Sequence, residues 1–139
     1  SIREYFEREG EASFRDLEQA TIAELAQSPR GVLSTGGGSV LREANRHQLR
    51  RGFHVIYLRS SPEDLFRRLR HDVKRPLLQV QDPLGRLREL HAARDPHYKE
   101  PAHDIVDTGR PTVAMLVNLI VMQLELAGIS VPPAPDAQG

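Results

Sequence analysis

Short apolar runs alternate with amphipathic stretches along the 139 residues. Residues 1–10 place Ile2, Tyr5 and Phe6 at i, i+3 and i+4, one face of a helix. Ser1 with Glu4 three residues on has the capping-box pattern, and Gly10 stops the segment. Residues 11–27 read as a longer helix, with Phe14, Leu17, Ala20, Ile22, Leu25 and Ala26 as its apolar set. The run Gly31-Val32-Leu33-Ser34 is apolar without alternation, as a buried parallel strand is. It leads into three consecutive glycines, Gly36-Gly37-Gly38. Residues 41–51 predict a polar helix with four arginines, ended by Gly52. His54-Val55-Ile56-Tyr57-Leu58 predicts a second strand. Ser60-Ser61-Pro62-Glu63-Asp64 then supplies a cap, a proline for the first turn and two acids, so a helix follows to about Arg70.

The next helix opens at Asp82 or Pro83 and covers residues 84–93. Residues 94–98, which contain Pro96, are expected to close or kink it. Residues 102–109 predict a third short strand ending in a turn. Residues 111–127 are apolar almost all round, which predicts a well-buried helix. Residues 129–139, with three prolines, read as a tail, leaving residues 1–128 as one domain. Strands that alternate with helices indicate parallel βα units, hence an α/β fold with helices flanking a parallel sheet.

Charge and composition narrow the function classes. Lys plus Arg equal Asp plus Glu at 19 each, for a formal charge of zero. That argues against bulk attraction to nucleic acid or to an anionic membrane, and makes a monomer the default expectation. The absence of cysteine excludes disulfides and thiolate metal sites and is compatible with a cytoplasmic address. Residues 113–127 are interrupted by Asn118, Gln123 and Glu125, too short and polar a run to span a bilayer. The sequence opens at Ser1 without Met, directly in helix-like sequence, so the natural start is expected upstream.

Three features carry candidate chemistry. The triple-glycine turn follows a predicted strand, and open α/β sheets bind ligands beyond the carboxyl ends of their strands. Arg15 and Glu18 are three apart and share a helix face, where spacing alone favours a solvated ion pair. Residues 67–78 hold six potential cations against Asp72 alone, and Pro76 breaks the helical pattern. Such a segment suits an anion like phosphate, because the planar guanidinium fork matches carboxylate and phosphate. The six histidines show no metal-ligand spacing, and no Ser-His-Asp arrangement can be placed.

The ordered phrases FRDLE, STGGGSVLRE, KRPLLQ and RDPHYKE, followed by Asp107-Thr108, resemble shikimate kinase over nearly all of residues 1–127. That resemblance implies a three-layer P-loop-kinase fold and transfer of the γ-phosphoryl of ATP, with Mg²⁺, to the 3-hydroxyl of shikimate. It implies that Arg15 and Arg94 clamp the shikimate carboxylate and that Glu18 orients hydroxyls or its neighbouring arginine. Gly36, Gly37 and Gly38 would offer backbone N–H groups to the ring substituents, with Phe6 and Phe14 as an apolar wall. Arg75, in the family's lid, would stabilise the transferring phosphoryl group as the catalytic arginine. Arg68 and Arg110 would lie on the nucleotide side.

One departure stands against these matches. No Gly-x-x-x-x-Gly-Lys-Ser/Thr run, the loop that cradles phosphates and holds Mg²⁺, occurs in the sequence. Gly36-Gly37-Gly38 lacks both the lysine and the spacing. The expectation is therefore a kinase truncated at its N-terminus, with the first strand and P-loop absent. It would transfer phosphate poorly alone and would expose an apolar seam. Two other readings are a non-catalytic sensor domain that keeps the kinase fold, and a related small-polyol kinase such as gluconate kinase.

Overall fold

A computed structural model describes residues 1–70, 81–109 and 112–129. Helix α1 (Ile2–Glu9) carries the predicted capping box: Ser1 Oγ accepts from the Glu4 amide at 3.2 Å. Gly10, at φ 86°, ends α1 and starts α2 (Glu11–Gln27). A left-handed φ is open to glycine without a Cβ clash, so the sharp junction falls there. A 3₁₀ turn (Ser39–Leu41) and α3 (Glu43–Gly52) follow. Strand β1 (Ile56–Arg59) precedes α4 (Pro62–Leu69), which Ser61 caps with Pro62 in the first turn. Helix α5 (Pro83–Lys99), strand β2 (Asp104–Asp107) and α6 (Val113–Leu126) complete the order.

The two strands pair in parallel, Ile56 opposite Asp104 through Arg59 opposite Asp107. Polar side chains close both ends of the ladder. Arg59 Nε lies 2.8 Å from Asp107, and His54 Nε2 lies 2.5 Å from Asp104. Beyond the carboxyl end, the Thr108 amide donates to the Arg59 carbonyl at 2.9 Å, and the Ser60 and Thr108 hydroxyls hydrogen-bond. Packing runs α1 on α2, α2 on α3, and α4 on α5, with the 3₁₀ turn wedged between α2, α3 and α5. Ile22, Val40, Leu49, Leu87 and Val106 form the buried apolar core.

Three expectations are corrected. The run at residues 31–34 forms no strand, and Val32 is fully exposed. A strand needs a ladder for its N–H and C=O groups, and among the described residues only β1 and β2 pair. Helix α6 is not well buried: Val113, Met115, Val117, Met122 and Leu126 are exposed. Strand β2, against which it packs, spans only four residues, about 13 Å, beside a helix about 21 Å long. Helix α5 does not end at residue 94 but continues through Pro96 to Lys99. Proline inside a helix forfeits a backbone hydrogen bond. Asp95 and Tyr98 on either side of it are tied to β1 and the glycine turn, which offsets that loss. Arg75, Arg110 and the tail from residue 130 lie outside the described residues.

Candidate active site

The glycine turn is where α2 and α5 converge. Position 38 sits so close to Arg15 that a Cβ there would lie 2.6 Å from Arg15 Cζ and 2.7 Å from Nη1. Position 37 faces α5 in the same manner: a Cβ there would lie 3.2 Å from the Tyr98 hydroxyl and 3.3 Å from Arg94 Nη1. Two arginines from different helices therefore address adjacent glycines. Gly36 and Gly37 are exposed, so the turn presents an open face. At Gly38 it is the close approach of Arg15, and not the backbone angle, that disfavours a side chain, since its φ of −88° suits any residue.

Arg15 is held in place. Its Nη1 donates to Glu18 Oε1 at 3.0 Å, and its Nη2 lies 3.6 Å from Glu11. Its guanidinium stands 5.4 Å from the Phe14 ring centroid. The side chains of Arg15 and Glu18 are only 19% and 14% exposed, so this is not the solvated pair that spacing alone favours. The second Glu18 oxygen accepts from the Ser39 hydroxyl at 2.9 Å. Both Glu18 oxygens are thus engaged, one by Arg15 and one by the residue after the glycines. Ser39 is held in turn by Asn45, whose side-chain amide donates to the Ser39 carbonyl at 2.9 Å. Phe6 and Phe14 pack at 4.8 Å between centroids, and Tyr5 meets Phe14 edge-on at 6.0 Å. This aromatic group sits beside Arg15, as an apolar wall would.

Arg94 differs from Arg15. Among the described residues it makes no ion pair and no hydrogen bond, which leaves its donors available to an anion. Tyr98, one helical turn later, donates its hydroxyl to the Gly37 carbonyl at 2.6 Å. Its ring stacks on Tyr57 of β1 at 5.0 Å. Tyr57 donates to Asp95 Oδ1 at 2.9 Å, and Lys99 Nζ lies 3.2 Å from Asp95 Oδ2. Burial, then the Asp95 hydrogen bond and charge, push the Tyr57 hydroxyl well above the ordinary tyrosine range, so it remains a neutral donor. Burial works to raise the Asp95 pKa, but the bonds from Tyr57 and Lys99 outweigh it and hold the carboxyl below its ordinary value.

Arg68 stands at the carboxyl end of the sheet. Its Nη2 donates to the Thr108 carbonyl at 2.8 Å. The predicted residues thus divide: Arg15, Glu18, Gly36–Gly38, Arg94, Phe14 and Phe6 gather on one side, and Arg68 stands at the strand ends. Ser39, Tyr57 and the role of Tyr98 were not read from the sequence as site features. The signal for Tyr98 is its spacing: four residues after Arg94, it shares that residue's helix face. Ser39 carried none, because its contact with Glu18 spans 21 residues. A cavity of about 230 Å³ lies elsewhere, between α3 and residues 100–101. Its Arg46 is paired with Glu100 at 2.8 Å and its Arg50 donates to the Ala102 carbonyl at 3.0 Å. Among the described residues no cluster of three carboxylate or imidazole side chains could hold a metal ion. No helix there is long and apolar enough to cross a membrane.

Comparison with known proteins identifies the family. The shikimate kinase family profile matches residues 1–125. The chain is 58% identical over 132 residues to the shikimate kinase of Ralstonia nicotianae, covering 95% of this chain and 70% of that protein. It is 56% identical over 138 residues to that of Paracidovorax citrulli, covering 97% and 75%. Among solved structures, shikimate kinase from Acinetobacter baumannii in complex with shikimate matches with a TM-score of 0.75. The identity is 38%, over 92% of this chain and 71% of that one. The shikimate kinase of Bacteroides thetaiotaomicron matches with the same TM-score at 28% identity, over 93% and 76%. This chain belongs to the shikimate kinase family.

Proposed function

We propose that the glycine turn and its two arginines hold shikimate for phosphorylation of its 3-hydroxyl by ATP. One observation carries the assignment of the pocket: Arg15 and Arg94, from separate helices, face Gly38 and Gly37 respectively. A carboxylate between two guanidinium groups gains charge-assisted hydrogen bonds, roughly twice as strong as neutral ones. Arg94 brings unengaged donors. Arg15 is preset by Glu18 and therefore loses little freedom on binding. With both its oxygens engaged, Glu18 serves as the orienter of Arg15, the second of the two roles that the family resemblance allows it.

The reaction moves one phosphoryl group. The 3-hydroxyl oxygen of shikimate forms a bond to the γ-phosphorus as the bond from that phosphorus to the β,γ-bridging oxygen breaks. ADP leaves with that electron pair, and the hydroxyl proton is released. Phosphoryl transfer needs positioning and charge neutralisation more than covalent help from the protein. Here the turn, Arg15 and Arg94 position the acceptor. Arg75 supplies positive charge to the transferring group, and Arg68 and Arg110 serve the nucleotide side. Mg²⁺ accompanies ATP in this reading. Among the described residues no cluster of three carboxylate or imidazole side chains would hold the ion by itself, and no step is assigned to it. Residues 1–128 act as one domain, and use of ATP together with a cysteine-free chain supports a cytoplasmic enzyme.

A coupled ADP-release assay on the full-length protein tests the proposal. ADP release that depends on shikimate, and is not supported by gluconate, is expected. Intact ATP binding with no shikimate-dependent turnover would overturn it.

A further inference from the structure

The turn that carries the two arginine contacts has little regular structure of its own. The Gly36 carbonyl accepts from the Ser39 amide at 3.1 Å and the Gly38 carbonyl from the Leu41 amide at 3.2 Å. The Gly37 carbonyl between them takes its hydrogen bond from a side chain, the Tyr98 hydroxyl. At 2.6 Å this is a short bond for an O–H donor. Tyr98 cannot swing freely, because its ring lies on Tyr57 with 28° between planes. Tyr57 is fixed by the sheet at its backbone and by Asp95 at its hydroxyl. Asp95 is on the same helix turn as Arg94 and Tyr98. The chain of contacts runs from strand β1, through two stacked rings, to the middle glycine.

We infer that Tyr98, braced by Tyr57, is a positioning residue that sets the height of the glycine turn relative to Arg94. It rests on the reading of that turn as the shikimate site. Tyr98 touches neither substrate nor phosphate in this account. It acts through Gly37, whose amide neighbours face the substrate and whose Cβ direction meets Arg94 as well as Tyr98. A tyrosine chosen only to fill space would need no hydroxyl, and phenylalanine would replace it without effect.

The variant Tyr98→Phe keeps the stack and deletes the hydroxyl. In the full-length protein the Michaelis constant for shikimate is expected to rise about fivefold, the size of one hydrogen bond. The turnover number and the Michaelis constant for ATP are expected to stay within about twofold of wild type, since uniform substrate binding alone is lost. Amide hydrogen exchange over residues 34–41 is expected to quicken by a similar factor, with exchange in α2 unchanged. Tyr57→Leu, which removes the brace but leaves the hydroxyl, is expected to reproduce both effects in weaker form. Wild-type Michaelis constants for shikimate in Tyr98→Phe would overturn the inference, as would unchanged exchange over residues 34–41. If the wild-type protein turned over no shikimate, that reading of the site would fall, while the exchange measurement would still decide whether Tyr98 positions the turn.

Discussion

Replacing Gly38 by alanine separates the site from the fold. The new Cβ would stand 2.6 Å from Arg15 Cζ and 2.7 Å from Nη1, so one of them must move. The backbone is in the right-handed helical region, φ −88° and ψ −4°, which alanine adopts without strain. What yields is the tip of Arg15, a flexible side chain. The fold loses the Arg15–Glu18 bond, worth about 1–2 kcal/mol, and gains about 0.4–1 kcal/mol from the stiffer unfolded chain. Net stability should therefore fall by between about 0 and 1.6 kcal/mol. The site loses the preset guanidinium. One charge-assisted contact to the shikimate carboxylate, about 1.5–3 kcal/mol, converts to a loss of affinity of roughly 10- to 100-fold. Gly37→Ala, with its nearest neighbours at 3.2 and 3.3 Å, should weaken binding less. Isothermal calorimetry with shikimate and urea unfolding measure the two quantities on the same samples. Wild-type affinity in Gly38→Ala would refute the placement of Arg15 in the pocket. A collapse of stability with the affinity loss would refute the claim that only the arginine yields.

Two further substitutions probe the supports. Ser39 is 2% exposed and donates to Glu18 at 2.9 Å, so Ser39→Ala leaves a partly buried carboxylate oxygen without that donor. Urea unfolding should show a loss of about 1–3 kcal/mol, and an unchanged midpoint would mean that solvent satisfies the oxygen instead. His103 Nδ1 accepts the Val55 amide at 3.0 Å, which requires the neutral ring. Desolvation, then the charges of Arg50 and His54, hold its pKa below the ordinary histidine value. The unfolded chain therefore takes up the proton first as pH falls. Stability due to this ring is full above about pH 6.5 and declines below it until the lowered native pKa is reached. His103→Leu should remove that part of the pH dependence in urea midpoints measured from pH 5 to 7, and an unchanged slope would contradict the assignment.

How much was legible in the sequence follows from which forces are local. Capping is local, so Ser1 with Glu4, Ser61 with Pro62, and Gly10 were placed correctly from neighbours alone. Strand pairing is not. Leu33 and Val32 have strand composition, but no ladder partner meets them among the described residues. The same non-locality misled the reading of α6, whose apolar face predicts burial without saying how large the covering sheet is. Pro96 predicts a close or a kink because its local cost is known, whereas the contacts that offset it, Asp95 to Tyr57 and Tyr98 to Gly37, span 38 and 61 residues along the chain. For the site, residue types and order carried the resemblance, and the structure supplied what they could not. Arg15 is shielded and preset, Arg94 is unengaged among the described residues, and both face one glycine turn.

The central claim is that two guanidinium groups recognise a carboxylate over that turn. Shikimate methyl ester keeps the ring and hydroxyls and removes the negative charge. Calorimetric titration of the full-length protein with shikimate and with the ester tests the claim without reference to catalysis. Binding of the ester is expected to be at least about 100-fold weaker, the loss of two charge-assisted contacts. Equal affinity for the acid and the ester would contradict it.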